Sequence, residues 1–153
     1  MSTHVSFEDF KNSAGRVLEP SDWLEITQER VNQFADATLD HQFIHVDPER
    51  AAATPFGGTI AHGFLTLSLL VHLNGQHALI PEGLKMVINY GSDKVRFLSP
   101  VRVGSRVRSL QKITDVSHRG RNHWLVKNEV SVEIEGGSKP ALLAELLMLY
   151  VLE

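Results

Sequence analysis

Residue classes that are scarce in this sequence exclude several kinds of protein. Cysteine is absent, so the fold has neither disulfide bonds nor thiolate metal ligands, which is usual in the reducing cytoplasm. The 15 lysine and arginine residues stand against 18 aspartate and glutamate residues and form no basic cluster. Because the charge pattern gives no electrostatic footprint for a phosphate backbone, we expect no nucleic-acid partner.

Long hydrophobic runs are also missing. The most apolar stretch, residues 64–73, is interrupted by polar side chains and is far shorter than the roughly 20 residues that a membrane span needs. The first residues, Met1 to His4, lack the basic and apolar segments of a secretory signal. These features predict a cytoplasmic protein without a membrane partner. At 153 residues the chain is expected to form one domain over residues 1–153.

The first half of the chain carries helix signals. Thr27 can cap a helix over residues 28–38, where apolar residues recur at helical spacing. Irregular chain is expected from Leu39 to Val46, because Asp47 and Pro48 then mark the start of a short helix that runs through Ala53.

A second helix signal is almost uniformly apolar. From Ala61 to about Leu73 nearly every residue is apolar or small, and Asn74-Gly75 is a plausible stop. A helix that is apolar on all sides has to be surrounded by other elements.

The second half of the chain predicts strands. Apolar and polar residues alternate most clearly around Val126, Val130 and Val132, and Gly-rich turns separate successive segments, so neighbouring strands should be antiparallel. Residues 141–152 fit a central strand. The predicted segments are 23–26, 85–90, 94–98, 106–116, 124–134 and 141–152. Together they predict an α+β hot-dog fold, in which a long curved antiparallel sheet wraps around one apolar central helix.

Residues suited to acid and base chemistry precede the apolar helix. Asp40 and His45 are separated by a short stretch, and His62-Gly63 follows just before the helix. A carboxylate beside an imidazole can hold a water molecule and transfer protons near neutral pH. A backbone N–H at a helix N-terminus can stabilise negative charge on an oxygen atom.

These residues also carry a family resemblance. Phe34–His45 and Ile60–Phe64 resemble the signature of the MaoC-like, (R)-specific enoyl-CoA hydratase family, and the chain is most similar to its nodulation protein N-like branch. Val87–Gly91 and Lys94–Phe97 extend the resemblance over most of the chain.

Two departures from the family pattern surround Asp40. The family usually has glycine before the aspartate and Asn-Pro shortly after it, where this chain has Leu39, Gln42 and Phe43. Because only glycine takes a positive φ at little cost, Leu39 predicts a negative φ at this point.

The resemblance implies an activity and a set of functional residues. Asp40 and His45 would activate water for addition to a trans-2-enoyl-CoA, and the product would be an (R)-3-hydroxyacyl-CoA. The Gly63 N–H would bind the thioester oxygen of the substrate. The reaction would need neither a cofactor nor a metal. A hot-dog acyl-CoA thioesterase and a non-catalytic acyl-thioester-binding protein are the alternative functions.

Other histidines have simpler interpretations. His41 and His45 have zinc-binding spacing if their segment is helical, but a third ligand and the glutamate of the common motif are missing. We therefore expect no metal. His62 is expected to be a structural hydrogen-bonding residue near the helix start.

The expected sheet also has consequences for assembly. A long sheet with one helix leaves unpaired edges and apolar surface, which a second copy of the chain can cover. The sequence thus predicts a homodimer with each active site near the interface.

Overall fold

A curved five-stranded antiparallel sheet and a thirteen-residue apolar helix dominate the fold. The structure is a computed structural model that describes residues 2–153. Met1 lies outside the described residues. It is the first residue of the predicted domain and of the N-terminal stretch that lacks a signal pattern.

The helices are α1 (Phe7–Lys11), α2 (Gln28–Thr38), α3 (Phe43–Val46), α4 (Pro48–Ala52) and α5 (Gly63–Gly75). The strands are β1 (Thr3–Val5), β2 (Leu24–Glu25), β3 (Leu79–Pro81), β4 (Leu84–Phe97), β5 (Arg106–His118), β6 (His123–Ile134) and β7 (Leu142–Leu152).

The main sheet has the strand order β2-β5-β6-β7-β4, and all its neighbouring pairs are antiparallel. A parallel pair, β1 and β3, forms a separate two-stranded sheet. The strand prediction for residues 141–152 is confirmed, since β7 lies between β6 and β4. Together with α5, this sheet confirms the predicted hot-dog architecture.

Strand β4 is longer than predicted. The segments 85–90 and 94–98 belong to one strand, whose register against β7 shifts between Asn89 and Gly91 and again between Ser92 and Lys94. The Ser92 hydroxyl donates to the carbonyls of Lys94 and Glu145 at 2.9 and 2.8 Å. These bulges interrupt the side-chain alternation, which is why the sequence pattern indicates two strands.

One face of α5 enters the core. Leu65, Leu70 and Leu73 are buried against strand residues that include Val107 and Val130. The opposite face is open: the exposed fractions are 66% for Phe64 and 57% for Val71. The expectation that α5 is surrounded is therefore wrong for the single chain, because the sheet covers one side of the helix.

The start of α5 also differs from the prediction. The helix begins at Gly63 and not at Ala61. The Ala61 N–H donates to the Val101 carbonyl at 2.8 Å, and the Val103 N–H donates to the Thr59 carbonyl at 2.9 Å. Residues 59–61 are thus held as extended chain beside residues 101–103, and the helix cannot include them.

The helix caps follow the sequence signals. Thr27 accepts from the Arg30 N–H at 3.2 Å and caps α2. Asp47 accepts from the Arg50 N–H at 3.1 Å and caps α4, which begins at Pro48 and ends one residue earlier than predicted. None of the helices in residues 2–153 has the length and hydropathy required to cross a membrane.

Residues 39–46 contradict two expectations. The segment is partly helical, since α3 spans Phe43–Val46. Leu39 has a left-handed backbone with φ 64° and ends α2, although a non-glycine residue pays about 1 to 2 kcal/mol for this conformation. The Leu39 side chain is 81% exposed, so the turn does not force it into the core. This turn leads the chain from α2 into Asp40.

Candidate active site

Asp40, His45 and His62 converge beside the N-terminus of α5. Each offers a carboxylate oxygen or ring nitrogen that lies within 4.8 Å of those from the other two. His45 and His62 are buried, with 7% and 3% exposure, whereas the Asp40 side chain is 54% exposed. The structure therefore brings the predicted pair together and adds a second imidazole.

The orientation of His45 is determined by a main-chain hydrogen bond. Its Nδ1 lies 2.7 Å from the Ile60 carbonyl oxygen. A carbonyl can only accept, so Nδ1 carries the hydrogen, and the neutral ring has its lone pair on Nε2. His45 thus presents a proton acceptor at Nε2.

The surroundings of His45 favour its neutral form. Burial is the main cause that lowers its pKa from the ordinary value of 6.5, and the nearby His62 lowers it further. The Ile60 carbonyl and the Asp40 carboxylate act in the opposite direction but do not reverse the shift. A neutral imidazole near pH 7 is the state that a general base requires.

Gln28 holds the backbone of His45 and is itself bonded to Thr59, and the sequence analysis missed both residues. The Gln28 side-chain amide donates to the His45 carbonyl at 2.7 Å, and its Oε1 accepts from the Thr59 hydroxyl at 2.6 Å. Gln28 is the first residue of α2, and Thr59 precedes the residue that orients the His45 ring. No local sequence pattern marks these contacts, because a glutamine in a first helical turn is usually a surface residue.

Gly63 occupies the first position of α5 and lines a cavity of about 290 Å³. A methyl group added to Gly63 would lie 3.0 Å from two ring carbons of Phe97, closer than an ordinary carbon contact. The other residues around the cavity are mostly apolar and include His45, Phe56, Ile60, Thr66, Phe97 and Leu98. His45 and the N-terminus of α5 therefore reach one apolar cavity.

Comparison with known proteins identifies the family. The family described as the MaoC like domain matches residues 9–134. The chain belongs to this family. It is 52% identical over 151 residues to the 3-hydroxyacyl-thioester dehydratase Z of Mycobacterium tuberculosis, covering 99% of both chains. It is 49% identical over 141 residues to nodulation protein N of Rhizobium leguminosarum bv. viciae, covering 92% of this chain and 88% of the relative.

A solved structure also resembles this MaoC-like chain. An (R)-hydratase from A. caviae involved in PHA biosynthesis aligns with a TM-score of 0.67 and 26% identity, covering 87% of this chain and 95% of the other. The family predicted from the motif residues and the hot-dog fold predicted from the strand pattern and the apolar helix are thus confirmed.

A metal ion fits poorly among the three converging side chains of this MaoC-like site. His45 Nδ1 and His62 Nε2 already bond to the carbonyls of Ile60 and Asp40. The two rings stack with centroids 3.8 Å apart and planes at 24°, so the lone pairs of the other ring nitrogens lie in two stacked, nearly parallel planes. Zinc needs lone pairs that converge on one point about 2.0 to 2.1 Å from each nitrogen. The absence of a metal remains a prediction.

His41 lies outside the cluster. Its Nε2 donates to the Asp36 carboxylate at 2.8 Å, and both side chains are exposed. The condition for a zinc-binding spacing of His41 and His45, a helix that contains both, is not met, because α3 begins only at Phe43.

A second cavity, of about 330 Å³, lies beside Phe7, His118 and Trp124. His118 Nε2 donates to the Arg121 carbonyl at 2.8 Å, and its ring packs on Trp124 with centroids 4.9 Å apart. The family signature residues do not line this cavity, so the cavity beside His45 is the candidate active site.

Proposed function

We propose that this protein is a hydro-lyase that adds water to a trans-2-enoyl-CoA and forms an (R)-3-hydroxyacyl-CoA, or catalyses the reverse dehydration. Family membership and the 52% identical dehydratase support the reaction class. The observation that carries the proposal is the His45 ring, whose Nδ1–H is bound to Ile60 while Nε2 is left as a base beside Asp40 and the start of α5. The proposal treats residues 1–153 as one catalytic domain.

Asp40 and His45 act on the water molecule. His45 Nε2 accepts a proton as the water oxygen bonds to C3 of the substrate, and the electron pair of the double bond moves toward the thioester oxygen. The imidazolium then returns a proton to C2, so protons balance over the reaction. The Asp40 carboxylate accepts a hydrogen bond from the water and stabilises the transient imidazolium. This mechanism uses no cofactor.

Gly63 contributes its N–H to the thioester oxygen. The first intrahelical bonds of α5 are donated by Leu65 and Thr66 to the His62 carbonyl, so the Gly63 N–H at the helix N-terminus has no partner within the helix. A donor aimed at developing negative charge typically contributes about 10² to 10³ in rate. The missing side chain lets the thioester approach this donor.

An assay with crotonyl-CoA separates hydration from the alternatives. Hydration removes the absorbance of the conjugated thioester without releasing thiol, hydrolysis releases CoA thiol, and a binding protein does neither. We expect loss of absorbance with no thiol. The absence of hydration with short, medium and branched enoyl-CoA substrates would contradict the proposal.

We also propose that the working unit is a homodimer joined through β4. This strand pairs with β7 on one edge, and within residues 2–153 its other edge has no partner strand. Apolar side chains on β4 are exposed, including Met86 at 52%, Ile88 at 44% and Tyr90 at 62%. A lone chain rarely exposes so many apolar residues together. Phe97, at the end of β4, lines the cavity, so a partner on this edge would lie beside the active site.

Light scattering after size exclusion tests the dimer. The wild type should have twice the mass of one chain at micromolar concentration, and Ile88→Lys should shift it toward a monomer because the charge would be buried at the interface. Val17→Lys is the matched control, since Val17 is 72% exposed and lies outside β4. A stable wild-type monomer with full activity would contradict this part of the proposal.

A further inference from the structure

We infer that His62 is a positioning residue, whose ring N–H holds the main chain of Asp40 in the place where its carboxylate can serve the reaction. The inference rests on the proposed function, because it assigns a purpose to the Asp40 position. It goes beyond a structural role at the start of α5, since the atom that His62 holds belongs to the catalytic pair.

The hydrogen bond between the two residues has a defined direction. His62 Nε2 lies 2.9 Å from the Asp40 carbonyl oxygen and 4.0 Å from the nearer carboxylate oxygen. The carbonyl can only accept, so Nε2 carries the hydrogen and donates it. The shorter contact is to the main chain, which means that His62 fixes the position of Asp40 while the carboxylate stays available for the water.

Asp40 needs such an anchor because its own segment is poorly packed. It follows Leu39, whose backbone is left-handed and whose side chain is 81% exposed. The Asp40 side chain is also more than half exposed. Its carboxylate makes one long local contact, 3.4 Å from the Gln42 N–H. Local interactions therefore hold Asp40 weakly.

His62 is well suited to be that anchor. Its ring is buried, stacks on His45 at 3.8 Å between centroids, and contacts the Phe34 ring at 4.9 Å. The imidazole thus contacts both members of the catalytic pair, His45 through its ring face and Asp40 through Nε2. Its Nδ1 is buried and has no hydrogen-bond partner among the described residues. A side chain that served only packing would gain from an apolar ring here, so the Nε2 donor accounts for the histidine.

Two substitutions distinguish the role of the His62 Nε2–H donor from that of the aromatic ring. His62→Gln keeps an N–H close to the position of Nε2, whereas His62→Phe keeps the aromatic ring and removes the donor. We expect His62→Phe to lower kcat for crotonyl-CoA hydration by about 10²-fold with little change in KM, as for a displaced catalytic group. His62→Gln should restore most of the lost kcat.

His118→Phe is the matched control, because it loses a hydrogen bond of the same kind outside the candidate active site. His118→Phe removes a ring N–H that donates to the Arg121 carbonyl, and it should leave kcat unchanged. Thermal unfolding of all three variants accompanies the kinetics. Normal kcat in His62→Phe, or equal losses of kcat in the Phe and Gln variants, would overturn the positioning role and leave His62 as a core residue.

A second readout does not depend on activity. Backbone amide signals of Asp40 and His41 in ¹H–¹⁵N spectra should shift or broaden in His62→Phe and stay close to wild type in His62→Gln. Unchanged signals in His62→Phe would overturn the inference. If the wild type hydrates no enoyl-CoA, the proposed function fails, and the amide signals still decide whether His62 positions Asp40.

Discussion

Replacing Gly63 with alanine should lower the enzymatic activity much more than the folding stability. The added methyl group would lie 3.0 Å from Phe97 Cδ1 and Cε1, and overpacking of this kind typically costs about 1 to 3 kcal/mol. Alanine in place of glycine gains up to about 1 kcal/mol in a helix, and Phe97 is 47% exposed, so its ring can move. The net loss of folding free energy should therefore be about 1 kcal/mol or less.

The activity of Gly63→Ala should fall much further. The methyl group would stand between the Gly63 N–H and the thioester, and loss of one such donor typically costs about 10² to 10³ in kcat. The assay is crotonyl-CoA hydration beside thermal unfolding. Gly75→Ala is the matched control on the same helix, because no atom beyond its chain neighbours and the helix backbone lies within 4 Å of the added methyl group, and it should retain wild-type activity.

A double variant tests the cause of the loss. Gly63→Ala with Phe97→Ala removes the clash but keeps the methyl group in front of the donor. Activity should stay low relative to Phe97→Ala alone, while stability recovers. Full recovery of kcat in the double variant, or normal kcat in Gly63→Ala, would refute the role assigned to Gly63.

Four further predictions concern the candidate active site and His41, which follows Asp40 in the chain. Asp40→Asn and His45→Gln should each lower kcat by about 10² or more with the fold intact; circular dichroism checks the fold, and near-normal turnover would remove that residue from the mechanism. His41→Gln should change kcat little, because His41 pairs with exposed Asp36, and a large loss would support a metal role instead. The rate should rise with pH through the lowered pKa of His45, since only the neutral ring accepts a proton. The stability that neutral His45 provides should be complete above pH 6.5 and should be lost as the pH falls through its folded pKa; His45→Gln should abolish this part of the pH dependence of unfolding.

Local signals in the sequence predict much of the fold. The capping residues Thr27 and Asp47 act where the helix signals place them. The alternation around Val126, Val130 and Val132 corresponds to buried positions of β6. Helix caps and side-chain alternation depend on residues that are neighbours in the chain, so they can be recognised in the sequence alone.

The parts that the sequence analysis missed depend on distant contacts. Gln28 reaches the His45 carbonyl. His62 was expected to form a hydrogen bond, but its partner, the Asp40 carbonyl, was not predicted. Both bonds join separate segments of the chain. The late start of α5 has the same cause, because Ala61 is held by Val101. The pairing of Asp40 with His45 was predicted through the family motif, while the groups that orient the pair emerge only from the folded chain.

We propose above that His45 acts as the base that adds water to an enoyl thioester at one apolar cavity. The most direct test of this proposal is NMR of the product formed from crotonyl-CoA in D₂O, with chiral analysis at C3. We expect 3-hydroxybutyryl-CoA of the (R) configuration with a single deuterium at C2, and we expect His45→Gln to form this product only at a residual rate. Product of mixed or (S) configuration, or release of free CoA without hydration, would contradict it.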